Sequence, residues 1–485
     1  MKAVLILMDS LNRHFLPAYG NDWVKTPNID RLQERAVTFD NHWLGSAPCM
    51  PARRDMLTGR LNFLERGWGG IEPFDKPFTG KLRENEIYTH LETDHYHYFH
   101  VGGENYHTCF DTWKFYRGQE GDVYGSQIKK LKEPEHLGQW REQYAKNKDK
   151  FNTDADYPTP KTFAGAVDWL QENEEADDYF LWVEAFDPHE PFDCPEEFLK
   201  MYDENWEGPL YNWSEYDYID DHDQKAIKHL RKRYAATLTM ADKWLGKLLD
   251  EIERQYGFED TMIILTTDHG HMLGEHGVTG KNRWHVWNEM AHLPLIVHLP
   301  EDRYAGERRD QLTQNIDIGP TLLEYFSISS SERIQGESWI PILEEEQPAE
   351  RKGALYGWFG KTVNISDGQY TYLRAPAGAE NEPLFRYFLT PTSFGYHELP
   401  GKEFFKEAEL GDFLPYTDYP VLRAKVDSTR PDPIKNTLLF NIEEDPEQQN
   451  NLKGKDIEEK CIKLLWEVLE KIEAPEEQQE RLGLK

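Results

Sequence analysis

The sequence predicts an α/β fold, a large and mostly parallel sheet sandwiched by helices, with a smaller α+β unit after it. Three observations carry this. Apolar runs recur at 3–8, 179–185, 261–267 and 295–299, unbroken as strands buried on both faces require. Segments with helical spacing lie between them. Polar residues suited to chemistry follow three of those runs at once: Asp9, then Asp187-Pro188-His189, then Asp268-His269.

Each element has its own signal. The strand at 3–8 (Ala-Val-Leu-Ile-Leu-Met) stops at Asp9, and Thr26-Pro27-Asn28 opens a helix, proline being tolerated in a first turn. Residues 162–173 repeat Phe163, Ala166, Val167 and Leu170 at helical intervals, and 225–256 form one long amphipathic helix with Leu238, Ala241, Leu245 and Leu248 on one side. Alternation of such strands and helices implies helices on both faces of a sheet. In an open sheet of this kind, ligands bind at the carboxyl ends of the strands. Residues far apart in the chain are thereby expected to meet there.

The pattern changes near residue 345. Glu344-Glu345-Glu346-Gln347-Pro348-Ala349-Glu350 reads as an acidic linker or solvated surface, and beyond it come short strand-like runs at 368–373 and 436–442 and a closing helix at 457–472. The expected division is a catalytic unit at 1–350 and a smaller α+β unit at 351–485.

Composition bounds the partners. The 485 residues hold 38% hydrophobic and 29% charged side chains and a net charge of -33. So acidic a surface repels nucleic acid and anionic membranes, so neither is an expected partner. An anionic substrate then needs a local cationic pocket. No apolar stretch is long enough to span a bilayer, and Met1-Lys2 followed by six apolar residues is too short for a secretory leader. Four scattered cysteines, Cys49, Cys109, Cys194 and Cys461, suit a reducing compartment. The expected location is cytoplasmic.

The most informative segment is Ala47-Pro48-Cys49-Met50-Pro51-Ala52-Arg53-Arg54-Asp55-Met56-Leu57-Thr58-Gly59. A lone cysteine is usually a buried, inert thiol. Here Cys-x-Pro-x-Arg with Leu-Thr-Gly behind it resembles the type I sulfatase family, of the alkaline phosphatase-like superfamily. The resemblance implies that a separate maturase oxidises Cys49 to Cα-formylglycine, whose hydrate is the nucleophile, with Arg53 beside it.

Other segments extend the resemblance over nearly the whole chain. Asp9, Asp268 and His269 match family positions that bind a divalent metal together with residue 49. Ser10 stands where many members have a second Asp, and its hydroxyl is the candidate replacement. Oxygen donors suit Ca²⁺ or Mg²⁺, and the histidine admits Mn²⁺; the resemblance favours Ca²⁺. Pro188-His189-Glu190-Pro191-Phe192 matches a Pro-His-x-Pro-Phe segment whose histidine faces the leaving group. Gly274-Glu275-His276-Gly277 leads to Lys281, matching a lysine that contacts sulfate and leaving oxygen, with Arg283 and His285 as stand-ins. In Thr93-Asp94-His95-Tyr96-His97, an extended segment places His95 and His97 on one face. His95 then takes the place of a sulfate-binding lysine and His97 that of a catalytic histidine.

The function these expectations describe is hydrolysis of sulfate esters, on a carbohydrate or other small organic sulfate. The alternative is a phosphonate monoester or phosphodiester hydrolase of the same superfamily. A non-catalytic relative that keeps Cys49 as a thiol is the reading from a different class.

Overall fold

The computed structural model describes residues 1–100, 103–202, 205–219, 224–281, 283, 285–330, 333–344, 351–391, 402–426 and 434–485. The acidic stretch at 345–350 lies outside them.

A nine-stranded sheet dominates. From one edge its strands run Arg308–Arg309, Val37–Trp43, His292–His298, Thr261–Thr266, Lys2–Met8, Tyr179–Ala185, Tyr88–Thr93 and Thr112–Phe115, and Thr313–Gln314 also pairs with Val37–Trp43. All neighbours are parallel except His292–His298, which runs antiparallel to both its partners. The fourth apolar run expected at 295–299 is this strand, and it starts earlier, at His292.

The central strand alternates cleanly. Val4, Ile6 and Met8 join Leu230, Leu238, Ala241, Leu245 and Leu248 of the helix Gln224–Tyr256 in one core. Ala3, Leu5 and Leu7 join Met50, Met56 and Leu57 of the helix Cys49–Thr58 in the other. Successive strand side chains point to opposite faces, so a strand with no polar position must be covered twice. Each large apolar side chain so enclosed contributes roughly 1.5–3 kcal/mol. The helix Pro158–Glu172 packs with the long helix on the first face, burying Phe163, Ala166 and Leu170.

Register brings the chemistry together. Met8 lies opposite Ala185, Leu7 opposite Thr266, and Thr93 opposite Glu184. Asp9, Asp94, Phe186 and Thr267 therefore leave the sheet along one rim.

A second sheet of five strands contains Ala354–Trp358, Val363–Ser366, Tyr370–Arg374 and Leu438–Asn441, and takes Ser46–Ala47 as its fifth. The helix Ile457–Lys471 covers it through Cys461, Leu465 and Leu469. Its fifth strand comes from the segment just before Cys49 and pairs parallel with Gly357 and Trp358. Among the described residues no helix is long and apolar enough to cross a membrane.

Candidate active site

Cys49 opens the helix Cys49–Thr58, which ends at Gly59 in the left-handed conformation (φ 66°). That conformation is cheap only for glycine, and it lets the Gly59 N–H close on the Asp55 carbonyl at 2.8 Å. Cys49 and Arg53 are four residues apart, hence one above the other on one face. That face meets the rim. Ser10 turns the chain sharply after the first strand, with φ 61°, a region that costs energy for a residue with a Cβ. The turn is held by the Ser10 N–H donating to Asp268 Oδ1 at 3.0 Å and the Tyr234 hydroxyl donating to the Ser10 carbonyl at 2.8 Å.

Arg53 is fully buried. It donates through Nη2 to Asp9 Oδ2 at 2.8 Å, through Nη1 to Asp268 Oδ2 at 2.5 Å and to the Cys49 carbonyl at 3.0 Å, and through Nε to Glu184. Burial opposes its charge, but Glu184, Asp268 and Asp9 drive it far above the ordinary arginine value. Burial likewise opposes charge on Asp9, and Arg53, Lys281 and His269 hold that carboxyl below its usual range. Four buried carboxylates, Asp9, Glu184, Asp268 and Glu190, thus share two cations, Arg53 and Lys281. A buried charge needs compensation, so the rim has room for a further cation.

Donor atoms of Asp9, Cys49, Asp268 and His269 all lie within 4.8 Å of one another and are buried. His269 Nδ1 donates to the Gly270 carbonyl at 2.7 Å, which leaves Nε2 as a lone pair 3.2 Å from Cys49 Sγ. That is the tautomer a metal-binding imidazole needs. Two carboxylates, one imidazole nitrogen and an oxygen on residue 49 fit a hard or borderline divalent cation. Ser10 stands at the edge of this group. Its hydroxyl donates to Asp9 Oδ1 at 2.8 Å and accepts from Lys281 Nζ at 3.3 Å.

Lys281 Nζ also approaches Cys49 Sγ at 3.6 Å. The stand-ins point elsewhere: Arg283 donates to the Tyr216 carbonyl at 2.7 Å, and His285 contacts the Asn436 carbonyl at 2.8 Å. Burial opposes the charge of Lys281, but Cys49, Glu190, Asp9 and Asp268 raise it above the ordinary lysine value. The Cys49 thiol itself is pushed far up, first by burial and then by Asp9 and Asp268. The thiolate, the nucleophilic form of a cysteine, is thus disfavoured at position 49 by burial and by the two carboxylates.

The histidines converge by a route the sequence does not announce. The strand stops at Thr93, and Tyr96–Phe99 coil into a short 3₁₀ turn. The extended His95-Tyr96-His97 segment expected from the sequence is therefore not formed, because the chain must turn at the rim. The two rings still meet, 5.0 Å apart at their centroids. His95 is fully buried, its Nδ1 3.7 Å from Asp9 Oδ2, and neither of its ring nitrogens has a hydrogen-bond partner. His97 lies edge-on to Trp68 at 5.2 Å, its Nε2 3.8 Å from Glu120 Oε2. Burial lowers both well below the ordinary histidine value; next come Arg53 for His95 and His189 for His97. His189 follows the strand Tyr179–Ala185 in a turn where its N–H donates to the Phe186 carbonyl at 2.9 Å.

Four participants escaped the sequence reading: Glu184, Glu190, Tyr216 and His271. Glu184 had a visible signal, a carboxylate inside an otherwise apolar strand. His271 stands two residues from His269, and Glu190 beside His189. Tyr216 reaches Glu190 only through the fold. Next to these groups a cleft of about 750 Å³ is lined by Tyr96, Glu120, Arg141, Tyr216 and Arg283. It can take the organic part of a substrate.

The sulfatase family model matches residues 2–328. An arylsulfatase of Clostridium perfringens is 24% identical over 385 residues, covering 70% of this chain and 78% of that protein. A choline-sulfatase of Rhizobium meliloti is 24% identical over 418 residues, covering 76% of this chain and 77% of that one. Among solved structures, the phosphonate monoester hydrolase of Agrobacterium radiobacter superposes with a TM-score of 0.67 at 18% identity, covering 98% of this chain and 95% of that one. The fold is shared with that solved structure, and the chain belongs to the sulfatase family of sulfuric ester hydrolases.

Proposed function

We propose that the protein hydrolyses the sulfate ester of a carbohydrate or other small organic alcohol, after a maturase has oxidised Cys49 to Cα-formylglycine. The observation that carries this is the meeting of residue 49 with Asp9, Asp268 and His269 beside Lys281. The formylglycine hydrate supplies two hydroxyls, one to attack sulfur and one whose deprotonation expels sulfate.

Asp9, Asp268, His269 and the oxygen of residue 49 would hold a divalent ion, Ca²⁺ by preference, with the Ser10 hydroxyl at its edge. When bound, that ion offsets the charge of the sulfate and polarises its oxygens. Arg53 fixes the two carboxylates in place and anchors the Cys49 backbone. Lys281 and His95 hold sulfate oxygens at the rim. Lys281 also stabilises charge developing on the leaving oxygen, and His189 protonates it. His97, kept neutral by its surroundings, accepts the proton of the second hydroxyl.

Mass spectrometry of the peptide containing Cys49, from cells with an active maturase, tests the proposal. The aldehyde is the expected species, and an unmodified thiol removes the mechanism. Parallel rates on 4-nitrophenyl sulfate and phenyl phosphonate esters separate the two hydrolase readings. Faster phosphonate turnover would transfer the same residues to phosphorus. Placement in the cytoplasm belongs to this proposal too, supported by four cysteines that are all free thiols.

A further inference from the structure

We infer that Glu190 is a positioning residue for the leaving-group acid, fixing the His189 ring and supplying the counter-charge its protonated form needs. The inference rests on the sulfatase reading above. His189 Nδ1 donates to the Glu190 carbonyl at 2.5 Å. A carbonyl only accepts, so Nδ1 always carries a hydrogen and Nε2 is the nitrogen left for substrate. His189 can then act as an acid only as imidazolium, with a second proton on Nε2. Burial works strongly against that form, and the Glu190 carboxylate and carbonyl oppose burial only in part, leaving the group at about 3.

The Glu190 carboxylate offsets part of that cost. It is fully buried. Its Oε2 lies 3.4 Å from His189 Nδ1 and 3.4 Å from His271 Nδ1, and has no hydrogen-bond partner. Its Oε1 accepts from the Tyr216 hydroxyl. Burial opposes its charge, yet His189, Lys281 and His271 hold it well below the ordinary carboxylate value. Glu190 thus stays ionised beside the ring that becomes imidazolium when the alcohol leaves. Tyr216 also lines the cleft, so the side chain that orients Glu190 touches the space the alcohol occupies.

The step balances simply. As the ionised hydroxyl of the hydrated aldehyde at residue 49 bonds to sulfur, the S–O bond to the alcohol breaks and its electron pair goes to the leaving oxygen. That oxygen takes the proton from His189 Nε2. The ring returns to neutral with Nδ1–H still on the backbone carbonyl, and is reprotonated from solvent.

Leaving-group dependence tests this. Aryl sulfates from 4-nitrophenyl to 4-methoxyphenyl need progressively more help from an acid. With Glu190→Gln, kcat/KM should fall about 100-fold on 4-methoxyphenyl sulfate and about 5-fold on 4-nitrophenyl sulfate, within the range of general acid catalysis. Glu190→Asp should recover part of the difference. Tyr216→Phe should steepen the dependence in the same direction by a smaller factor, and decides the matter if Glu190→Gln does not fold. A uniform loss across the series, or none, overturns the role of Glu190. Wild type turning over neither aryl sulfates nor sulfated sugars instead overturns the sulfatase reading, and this inference with it.

Discussion

The two faces of the helix Cys49–Thr58 carry two buried polar networks of opposite character. On one, Arg54 grips Asp75 through Nε and Nη2, both at 2.8 Å, and donates to Asn62 at 3.2 Å. Beside it Asp55 accepts from the Ser46 N–H at 2.5 Å, the Ser46 hydroxyl at 2.8 Å, the Asn62 N–H at 3.0 Å and the Asn62 amide. On the other face, Arg53 faces three carboxylates, and His95, His271 and Glu190 keep buried atoms without a hydrogen-bond partner. Buried polar atoms are nearly always paired. The first network completes itself and locks the loop that presents the helix. The second is left open where a ligand is due.

The contrast can be broken most sharply at residue 49. Cys49→Ala should lower turnover of 4-nitrophenyl sulfate on the order of 10⁴-fold or more with an unchanged far-ultraviolet spectrum and thermal midpoint; retained activity would refute the assigned nucleophile. Next, Arg53→Met strips the compensation from three buried carboxylates. It should cost about 3–5 kcal/mol in the metal-free protein, measured by urea unfolding. Added Ca²⁺ should restore part of that loss, as binding to the native state alone must. No Ca²⁺ effect on stability in either protein would contradict the proposed ion site.

The closed network predicts the reverse pattern. Asp55→Ala leaves several donors buried and unpaired and should cost about 3 kcal/mol, while the turnover of the folded fraction changes by less than roughly threefold. A large loss of turnover per folded molecule would erase the distinction between the faces.

The last effect is a slope. Burial pushes the Asp55 carboxyl up to about 7, against the hydrogen bonds from Ser46 and Asn62. A folded value above the unfolded one adds stability that is complete below about pH 4 and is lost as pH rises through about 7. Chemical denaturation between those limits should show this fall in wild type and a flatter line in Asp55→Asn.

Much of this was legible in the sequence because sheet registry converts local runs into a shared rim. Asp9, Asp268 and His269 follow an apolar strand directly, His189 lies in the turn after one, and Cys49 with Arg53 needed only helical spacing. Three central strands were placed to within one residue. What stayed hidden depends on distance in the chain. Glu190 and Tyr216 are 26 positions apart, and no periodicity links them. The turn at Tyr96–Phe99 was hidden for another reason. A His-Tyr-His run fits an extended segment well, and only the end of the strand at the rim forces it to coil. The antiparallel direction of His292–His298 is equally silent in an apolar run.

The short pairing of Ser46 and Ala47 with Gly357 and Trp358 ties the base of the Cys49 helix to the smaller sheet. With the Gly357 N–H donating to the Gly45 carbonyl at 3.0 Å, the later part of the chain serves as a brace for the reactive residue rather than an appendage. Hydrogen exchange should find those amides protected to the same depth as the rim, so that loosening the brace and misaligning residue 49 are one event.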